Sequence, residues 1–366
     1  MPILIGCILG ISYALHAASK QKARAIKSEK MFDAASKNFA NQTNISREAK
    51  KLAEKQAIQA LRTETFSKQL LKKIIEAPDM DIEVLMENIS SDVRLQYQDD
   101  PEVIADHLMS IAKVCFNRLK YKKAAIYYQE ARDNYICIYK ETHSKTLSAI
   151  SELGHSLSMQ HEDYKEAEAL INKAITGFKN LGDEQVHALT AIHYKVNLLY
   201  FQERYEEAEA INTINLLDRR RVLGSEHDDT VRSINSMGNI FLKLNRLEEA
   251  TQFYLEGLKI TRHLHGMEYI DTLKLTANVG GLLCSQEKYD DASKFVTSEV
   301  VENFRSCLGN EHQLTLKVIE LMGDVHAGLG LYHEASESYI EVLRTRQRLE
   351  ANSEQIQSSI SNLVSL

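Results

Sequence analysis

Residues 229–250 have the sequence DTVRSINSMGNIFLKLNRLEEA, in which two apolar patterns meet at a polar pair. The first pattern has apolar side chains three or four residues apart, the spacing of one face of an α-helix. Its members are Val231, Ile234, Met237, Ile240, Phe241 and Leu244. After Asn245 and Arg246, a second helical pattern begins, with Leu247, Phe253, Tyr254, Leu258 and Ile260. We therefore predict a helix A and a helix B joined by a tight turn.

The tetrapeptide that begins helix B recurs along the chain, and its alanines are 41 to 43 residues apart. The copies are Tyr121–Ala124, Tyr164–Ala167, Tyr205–Ala208, Leu247–Ala250, Tyr289–Ala292 and Tyr332–Ala335. A second column, in helix A, keeps the same period at Thr146, Ala188, Thr230, Thr272 and Thr315. Eight residues further along are Gly154, Val196, Gly238, Gly280 and Gly323. Two columns in phase predict six repeats, which stack because no single helical pair can bury both of its apolar faces.

The small and aromatic residues of each unit follow an order that resembles the tetratricopeptide repeat, as at Gly238, Phe241, Ala250 and Tyr254. The 42-residue period resembles the repeats of kinesin light chains. So does the linker signature Gly-x-x-His-x-x-Thr, present at Gly224–Thr230 and Gly309–Thr315. The resemblance implies an all-α fold, a right-handed α-solenoid of six helical hairpins over residues 99–356. We expect a capping helix at 357–366, a basic helical stem at 20–98 and a membrane-anchor helix at 1–19.

Two columns of helix A are mostly polar although their neighbours are apolar. The first column contains Ser151, His193, Asn235, Ala277 and Glu320, and the second contains His155, Asn197, Asn239, Gly281 and Asp324. Positions four apart share one face of a helix, so the stripe predicts the wall of a concave groove that binds a peptide or protein. Asn and His both donate and accept hydrogen bonds, as the backbone of an extended peptide requires. The ordinary alternative is a solvated face.

The sequence departs from the related families in the same stripe. Kinesin light chain repeats often carry an Asn-Asn pair in helix A, whereas this chain keeps the first residue at Asn235 and the second at Asn278. The resemblance therefore adds Asn278 to the candidate binding residues. The Lys/Asn/Arg clamp of the chaperone-tail receptors is absent, since the matching positions include Met109, Lys113, Glu152 and Tyr194. We expect ligands other than chaperone C-termini.

The amino-terminal segment is apolar and then basic. Residues 1–19 contain no charged side chain, and Lys20, Lys22, Arg24 and Lys27 follow. About 18 helical residues span roughly 27 Å, close to the thickness of a bilayer core. We favour a signal anchor in the mitochondrial outer membrane, with the endoplasmic reticulum as the alternative membrane. A cleaved secretory peptide and a mitochondrial presequence are the other two readings of the segment.

Charge is distributed unevenly along the chain. Residues 1–75 hold 14 Lys and Arg against 5 Asp and Glu, whereas the whole chain has a net charge of −7. The acidic repeats predict no binding to nucleic acid. There are 5 cysteines and no Cys-x-x-Cys motif. The four within predicted helices are expected to be buried free thiols in a reducing compartment.

No set of residues with catalytic, cofactor-binding or metal-binding spacing occurs in the sequence, so we expect no enzyme, no cofactor and no metal site. Two functions agree with the pattern. The first is a membrane-tethered adaptor whose repeats bind a protein or peptide in the groove. The second is a permanent structural or assembly subunit of a larger membrane complex.

Overall fold

The structure is a computed structural model that describes residues 64–70, 72–73, 81–161, 164–182, 185–349 and 353–366. Every regular element within these ranges is helical, which confirms the all-α prediction. One compact unit extends to Ser156 and a second begins at Leu157. None of the helices in the described ranges combines the length and the apolar character that a bilayer crossing requires. The anchor predicted at residues 1–19 lies outside the described residues.

In the first unit, residues 64–70 are helical and four longer helices follow. They are α1 (Ile82–Gln96), α2 (Pro101–Asn117), α3 (Tyr121–Tyr139) and α4 (Ser144–Ser158), the last of which ends in the second unit. Helix α2 packs against both α1 and α3. Asp81 and Asp100 cap α1 and α2, since each carboxylate accepts hydrogen bonds from backbone N–H groups of the first turn.

The second unit contains the remaining helices. They are α5 (Tyr164–Leu181), α6 (Gln185–Phe201), α7 (Tyr205–Val222), α8 (Asp228–Lys243), α9 (Leu247–His265), α10 (Ile270–Ser285), α11 (Tyr289–Ala292), α12 (Ser298–Leu308), α13 (Gln313–Gly328), α14 (Tyr332–Arg348) and α15 (Ser353–Val364). Each B helix from α5 to α9 packs against the A helix that follows it, and α7 and α9 also pack against their own A helices. This stacking confirms the predicted helical repeat.

Two backbone positions with positive φ recur once in every repeat. In the turn between helices A and B they are Leu119, His161, Glu203, Asn245, Glu287 and Gly330. In the linker to the next repeat they are Lys140, Gly182, Gly224, Gly266 and Gly309. A left-handed residue ends a helix by redirecting the chain, so these two columns mark the ends of the helices in each pair.

The linker signature joins one repeat to the next through one backbone conformation and two hydrogen bonds. Gly224 has a φ of 96°, a conformation that costs a residue with a side chain extra energy. His227 precedes α8, and its Nδ1 accepts the N–H of Asp229 at 3.1 Å, which caps the helix. The Thr230 Oγ1 donates to the carbonyl oxygen of Gly224 at 2.8 Å. The signature is therefore a helix cap combined with a tie between the linker and the next helix A.

The repeated glycine lies where a bulky residue of helix B meets helix A. A methyl group on Gly238 would overlap the ring of Tyr254. Ala250 and Tyr254 are almost fully buried, and they share a core cluster with Leu275 and Val279 of α10. Tyr254 therefore fills space in its own pair as well as toward the next repeat. Tyr339 lies against Gly323 in the same way in the sixth repeat.

The fifth repeat departs from the pattern, because its helix B is split into α11 and α12. Its linker glycine, Gly309, lies 43 residues after Gly266, one more than the spacing of the two preceding linkers. An extra residue would rotate the rest of a continuous helix by about 100° and turn its apolar face away from the core. The chain breaks instead at residues 293–297, and the Thr297 hydroxyl caps α12. Val300 and Phe304 thereby remain buried.

Helix α15 docks on the last repeat as a further helix A would. In the third repeat, the buried Arg219 donates from Nη1 to the carbonyl oxygen of Asp229 and to Ser233 Oγ of α8. Arg346 of α14 repeats this arrangement, since its Nη1 donates to the carbonyl oxygen of Gln355 and to Ser359 Oγ of α15. This helix covers Ser353–Val364, whereas the sequence predicted a capping helix at residues 357–366.

The cysteines differ in exposure. Cys115 and Cys307 are buried, Cys284 is half-buried and Cys137 is exposed, so the expectation of four buried thiols is wrong for Cys137. Its position on α3 turns it toward solvent, although the residue lies within a helix as predicted. Burial raises the pKa of the Cys115 thiol to about 12, which leaves that thiol protonated and unreactive.

Changing Gly238 tests the contact with Tyr254. We expect Gly238→Ala to lower the free energy of unfolding by about 1–3 kcal/mol, because the new methyl group overpacks a filled site. Gly281→Ala in α10 is the control and should cost much less, since its methyl group would meet a Leu321 methyl group at 3.8 Å, an ordinary contact. Urea denaturation provides the measurement. In a Tyr254→Leu background Gly238→Ala should cost less, and an equal cost in both backgrounds would contradict the contact.

Candidate functional site

Each helix A of the second unit has one side that faces away from its buried residues. In α8, Arg232, Asn235, Ser236 and Asn239 lie on the side opposite the buried Ile234. The matching residues in the other three helices are Thr190, His193, Tyr194 and Asn197 of α6, Lys274, Ala277, Asn278 and Gly281 of α10, and Lys317, Glu320, Leu321 and Asp324 of α13. We call these sixteen residues the A-helix face. Among them only His193 is buried.

Two of the predicted binding residues belong to the first unit, and both are inside it. Ser151 is 4% exposed and His155 is 8% exposed. The His155 ring lies 4.8 Å from the ring of Phe116. Burial lowers the pKa of His155 to about 3, so this imidazole is neutral at physiological pH. These two side chains pack the unit and offer little surface to a ligand.

Asn235 and Asn278 come together on the A-helix face. The Asn278 Nδ2 donates to Asn235 Oδ1 at 2.9 Å, although the two residues are 43 positions apart in the sequence. They belong to consecutive helices A, α8 and α10, and both are half-buried. The pairing leaves the Asn235 amide N–H groups and the Asn278 amide oxygen for other partners. The two asparagines that the sequence divides between repeats thus form one pair in space.

Asn239 and Asp324 hold tyrosines of their own repeats. The Tyr254 hydroxyl donates to Asn239 Oδ1, and the Tyr339 hydroxyl donates to Asp324 Oδ1, each at 2.6 Å. Burial raises the pKa of Asp324, and the hydrogen bond from Tyr339 opposes that shift. These oxygens are therefore engaged within the repeat. The remaining edge of each side chain lies on the A-helix face.

In the third repeat, His193 is 8% exposed and Asn197 is half-buried. Of the predicted residues in the second unit, Asn197, Asn235, Asn239, Asn278 and Asp324 contribute accessible polar surface. His193 contributes little, because it is buried although it occupies the position of Asn235 in its repeat.

Sequence reasoning missed a basic row on the same face. Arg232, Lys274 and Lys317 are 42 and 43 residues apart, each two residues after the repeated threonine. Arg232 donates to Asp229 Oδ1 at 2.6 Å and Lys274 to Asp271 Oδ1 at 3.1 Å. Lys317 is exposed and has no ion pair with any residue in the described part of the chain. Its regular spacing was the signal that could have identified the row.

The acids beside this row are ionised. Burial alone would raise the pKa of Asp229, but Arg232, Arg219 and His227 together lower it. Burial would likewise raise the pKa of Asp271, and Lys274 with Arg232 lowers it. Each of these two cations is therefore balanced by a carboxylate of its own helix. The uncompensated positive charge of the row is at Lys317.

Comparison with known proteins identifies the repeats. The family model of the tetratricopeptide repeat matches residues 188–263, which cover most of α6 through α9. Residues 188–263 of this chain are therefore tetratricopeptide repeats, as the sequence pattern predicted. No curated protein sequence matches the chain.

Solved structures share the fold at low sequence identity. A Rap protein complexed with Competence and Sporulation Factor has a TM-score of 0.57 and 10% identity, over 97% of this chain and 96% of that one. NprR in complex with its cognate peptide NprX has a TM-score of 0.50 and 12% identity, over 90% and 99%. BtubC (BKLC) from P. vanneervenii has a TM-score of 0.50 and 19% identity, over 64% and 92%. At these identities the likeness shows the fold alone.

The buried His155 makes stability depend on pH. Its pKa is about 6.5 in the unfolded chain and about 3 in the folded one. The contribution of the neutral imidazole to the free energy of unfolding is therefore complete above pH 6.5 and declines as the pH falls toward 3. When the pH falls from 7.5 to 4.5, the unchanged protein should lose unfolding free energy as His155 becomes harder to keep neutral. We expect the loss to be about 2 kcal/mol smaller in His155→Phe.

Urea denaturation at the two pH values measures this difference. His333→Phe serves as the control, because the side chain of His333 is 82% exposed. That variant should follow the unchanged protein at both pH values. Parallel losses in the His155 variant and the unchanged protein would contradict the buried, neutral histidine.

Proposed function

We propose that this protein is an adaptor that binds an extended peptide segment of another protein on the A-helix face of its second unit. The observation that carries the proposal is the Asn235–Asn278 pair, whose amides meet at 2.9 Å. The pair presents amide N–H groups and an amide oxygen on a half-buried surface. An extended backbone offers the complementary groups, because each of its peptide units has one N–H and one C=O.

The neighbouring side chains restrict how such a peptide lies. Asn239 and Asp324 are fixed by hydrogen bonds from Tyr254 and Tyr339, so their orientation is set before a ligand arrives. Side chains that are fixed in advance lose less conformational entropy on binding. The A-helix face is therefore suited to a defined peptide register.

The basic row favours a peptide with an acidic side chain. Asp229 and Asp271 neutralise Arg232 and Lys274, whereas Lys317 is exposed and has no ion pair among the described residues. A carboxylate of the peptide near Lys317 would gain a modest electrostatic attraction that salt weakens. Acidity of the ligand is thus a secondary preference added to the recognition of its backbone.

Two proteins of the same fold support a peptide as the ligand. The structure of the Rap protein contains Competence and Sporulation Factor, and that of NprR contains its cognate peptide NprX. A stack of helical pairs presents one long face to a ligand, whatever the sequence of its helices. We infer a binding role without catalysis for this chain.

Selected peptides test the proposal. Peptides of about twelve residues are chosen from a random library on the full chain, and the strongest binder is labelled for fluorescence anisotropy. We expect Asn235→Ala combined with Asn278→Ala to weaken binding about tenfold, since two hydrogen bonds are lost. Lys317→Glu should weaken the binding of an acidic peptide in low salt and have less effect in high salt.

The control is Lys259→Glu, which changes an exposed residue of α9 away from the A-helix face. It should leave the affinity unchanged. Peptides that bind the asparagine double variant as tightly as the unchanged protein would exclude this face as the site.

We also propose that residues 1–19 attach the adaptor to a membrane, with the mitochondrial outer membrane as the first candidate and the endoplasmic reticulum as the second. The support comes from the sequence, an uncharged apolar stretch followed at once by Lys20, Lys22, Arg24 and Lys27. Basic residues at the end of an apolar helix favour its retention on the side that faces the cytosol. The repeats would then lie in a reducing compartment.

Removing residues 1–27 tests the attachment. We expect the truncated protein to appear in the soluble fraction, and the full chain to resist extraction by alkaline carbonate, because the deleted stretch contains the apolar segment. Immunoblotting of the two fractions is the measurement. A truncated protein that remains with the membranes would contradict the anchor.

A further inference from the structure

Ion pairs connect helices that are one repeat apart. Arg94 Nε donates to Glu130 at 2.6 Å in the first unit. In the second unit, Arg220 Nη2 donates to Glu256 at 2.6 Å and Arg305 Nη2 to Glu341 at 2.7 Å. In each pair the two residues are 36 positions apart, and the glutamate lies six residues after the repeated alanine. In three of the six repeats, this position on helix B therefore holds a glutamate that receives a cation from an earlier helix.

The third repeat has an apolar residue at this position. Ile214 lies six residues after Ala208, and Leu217 follows three residues later. Their exposed fractions are 64% and 60%. The cation that would face a glutamate here is Lys179, which lies twelve residues after Ala167 as Arg220 does after Ala208. Lys179 is exposed and has no ion pair among the described residues.

Helix α7 buries polar side chains beside its apolar ones. Asn212, Asn215 and Arg219 are at most 1% exposed. Asn212 Nδ2 donates to the carbonyl oxygen of Ser233 at 2.9 Å, and Arg219 Nη1 donates to Ser233 Oγ at 2.8 Å. A surface helix ordinarily turns its apolar stripe toward the core. In α7 polar groups occupy much of the core side, while two large aliphatic side chains are left in solvent.

Three exposed cations and one carboxylate, Asp218, lie on the helices B of the second and third repeats. Lys173 takes the glutamate position in the second repeat, and both it and Lys179 are exposed on α5. Arg221 is 74% exposed and pairs with Asp218 at 2.7 Å. We call Ile214, Leu217, Lys173, Lys179 and Arg221 the B-helix patch. In a chain with a net charge of −7, such a patch is unlike the B helices that carry Glu130, Glu256 and Glu341.

We infer that the B-helix patch is a docking surface for an acidic amphipathic helix of another protein. Ile214 and Leu217 are three positions apart, so they form a ridge of the kind that fits the groove of a second helix. Carboxylates along the edge of that helix would meet Lys173 and Lys179 and complement their charge. A second copy of this chain is disfavoured, because it would bring the same cations toward one another. The B-helix patch is separate from the A-helix face and does not depend on its ligand.

A model helix provides the probe. It is a labelled peptide of about 18 residues, with leucines three and four positions apart on one face and glutamates elsewhere. One control peptide has the same composition with the leucines scattered around the helix, and another has lysines in place of the glutamates. We expect the full chain to bind the acidic amphipathic peptide with a dissociation constant of about 1–100 μM, and both controls at least about tenfold more weakly.

Variants of the chain locate the binding. Ile214→Glu introduces the residue type that most other repeats carry at this position, opposite Lys179, so the fold should be retained. Combined with Leu217→Glu, it should lower the affinity for the acidic peptide at least about tenfold. Lys179→Glu should lower the affinity for the acidic peptide about threefold, and by less in high salt. Lys259→Glu, an exposed residue of α9, is the matched control and should have no effect.

The outcomes separate this inference from its rivals and from the proposed function. Equal affinity for the acidic and scattered peptides, or full affinity in the Ile214/Leu217 double variant, would overturn it. Binding to phosphatidylserine vesicles through the B-helix patch, without binding of the peptide, would also overturn it and indicate a membrane surface. A peptide selected on the A-helix face should bind the double variant normally. A melting temperature of the double variant near that of the unchanged protein excludes unfolding as the cause of a loss.

Discussion

The close approach of helix B to helix A at one small residue is the contact on which the fourth, fifth and sixth repeats depend. Gly238 leaves room for the ring of Tyr254, and Gly323 does the same for Tyr339. In the fifth repeat Val296 takes the place of the ring beside Gly280. A side chain on the glycine would push the two backbones apart, because a filled core leaves no alternative volume. The next helix A can add to the stack only where this distance is kept.

The same contact also organises the candidate site. The tyrosines that lie against the glycines extend to the A-helix face, where their hydroxyls donate to Asn239 and Asp324. The packing of each pair and the orientation of polar groups on its outer side are therefore coupled. A change that loosens the pair would also release a side chain of the site. This coupling explains why polar residues at these positions serve the fold even before a ligand binds.

The two proposed surfaces use different chemistry on different sides of the second unit's helices. The A-helix face offers amides and a basic row, which suit the backbone of an extended chain. The B-helix patch offers two aliphatic side chains among cations, which suit the side of a helix. An adaptor with both surfaces could bind two partners at once. Each partner would then be held near the other, which raises their effective concentration.

The sequence alone determined the period, the two helices of each repeat and the positions of their turns. These features follow from local rules, since apolar spacing predicts helices and glycine in the linker permits a positive φ. The polar stripe was also visible, and four of its predicted residues, together with Asn278, contribute accessible surface in the second unit. Even the glycine column was predicted, because a small residue at a fixed spacing indicates a helix contact.

The tertiary structure decided what these side chains face. Ser151, His155 and His193 belong to the polar stripe but are buried, since neighbouring helices cover them. Asn235 and Asn278 form a pair across two repeats, which no single repeat could indicate. The break between α11 and α12 and the buried polar side chains of α7 likewise depend on packing against adjacent helices. A sequence pattern specifies the side of a helix on which a residue lies, whereas the neighbouring helices determine whether that side is core, contact or open surface.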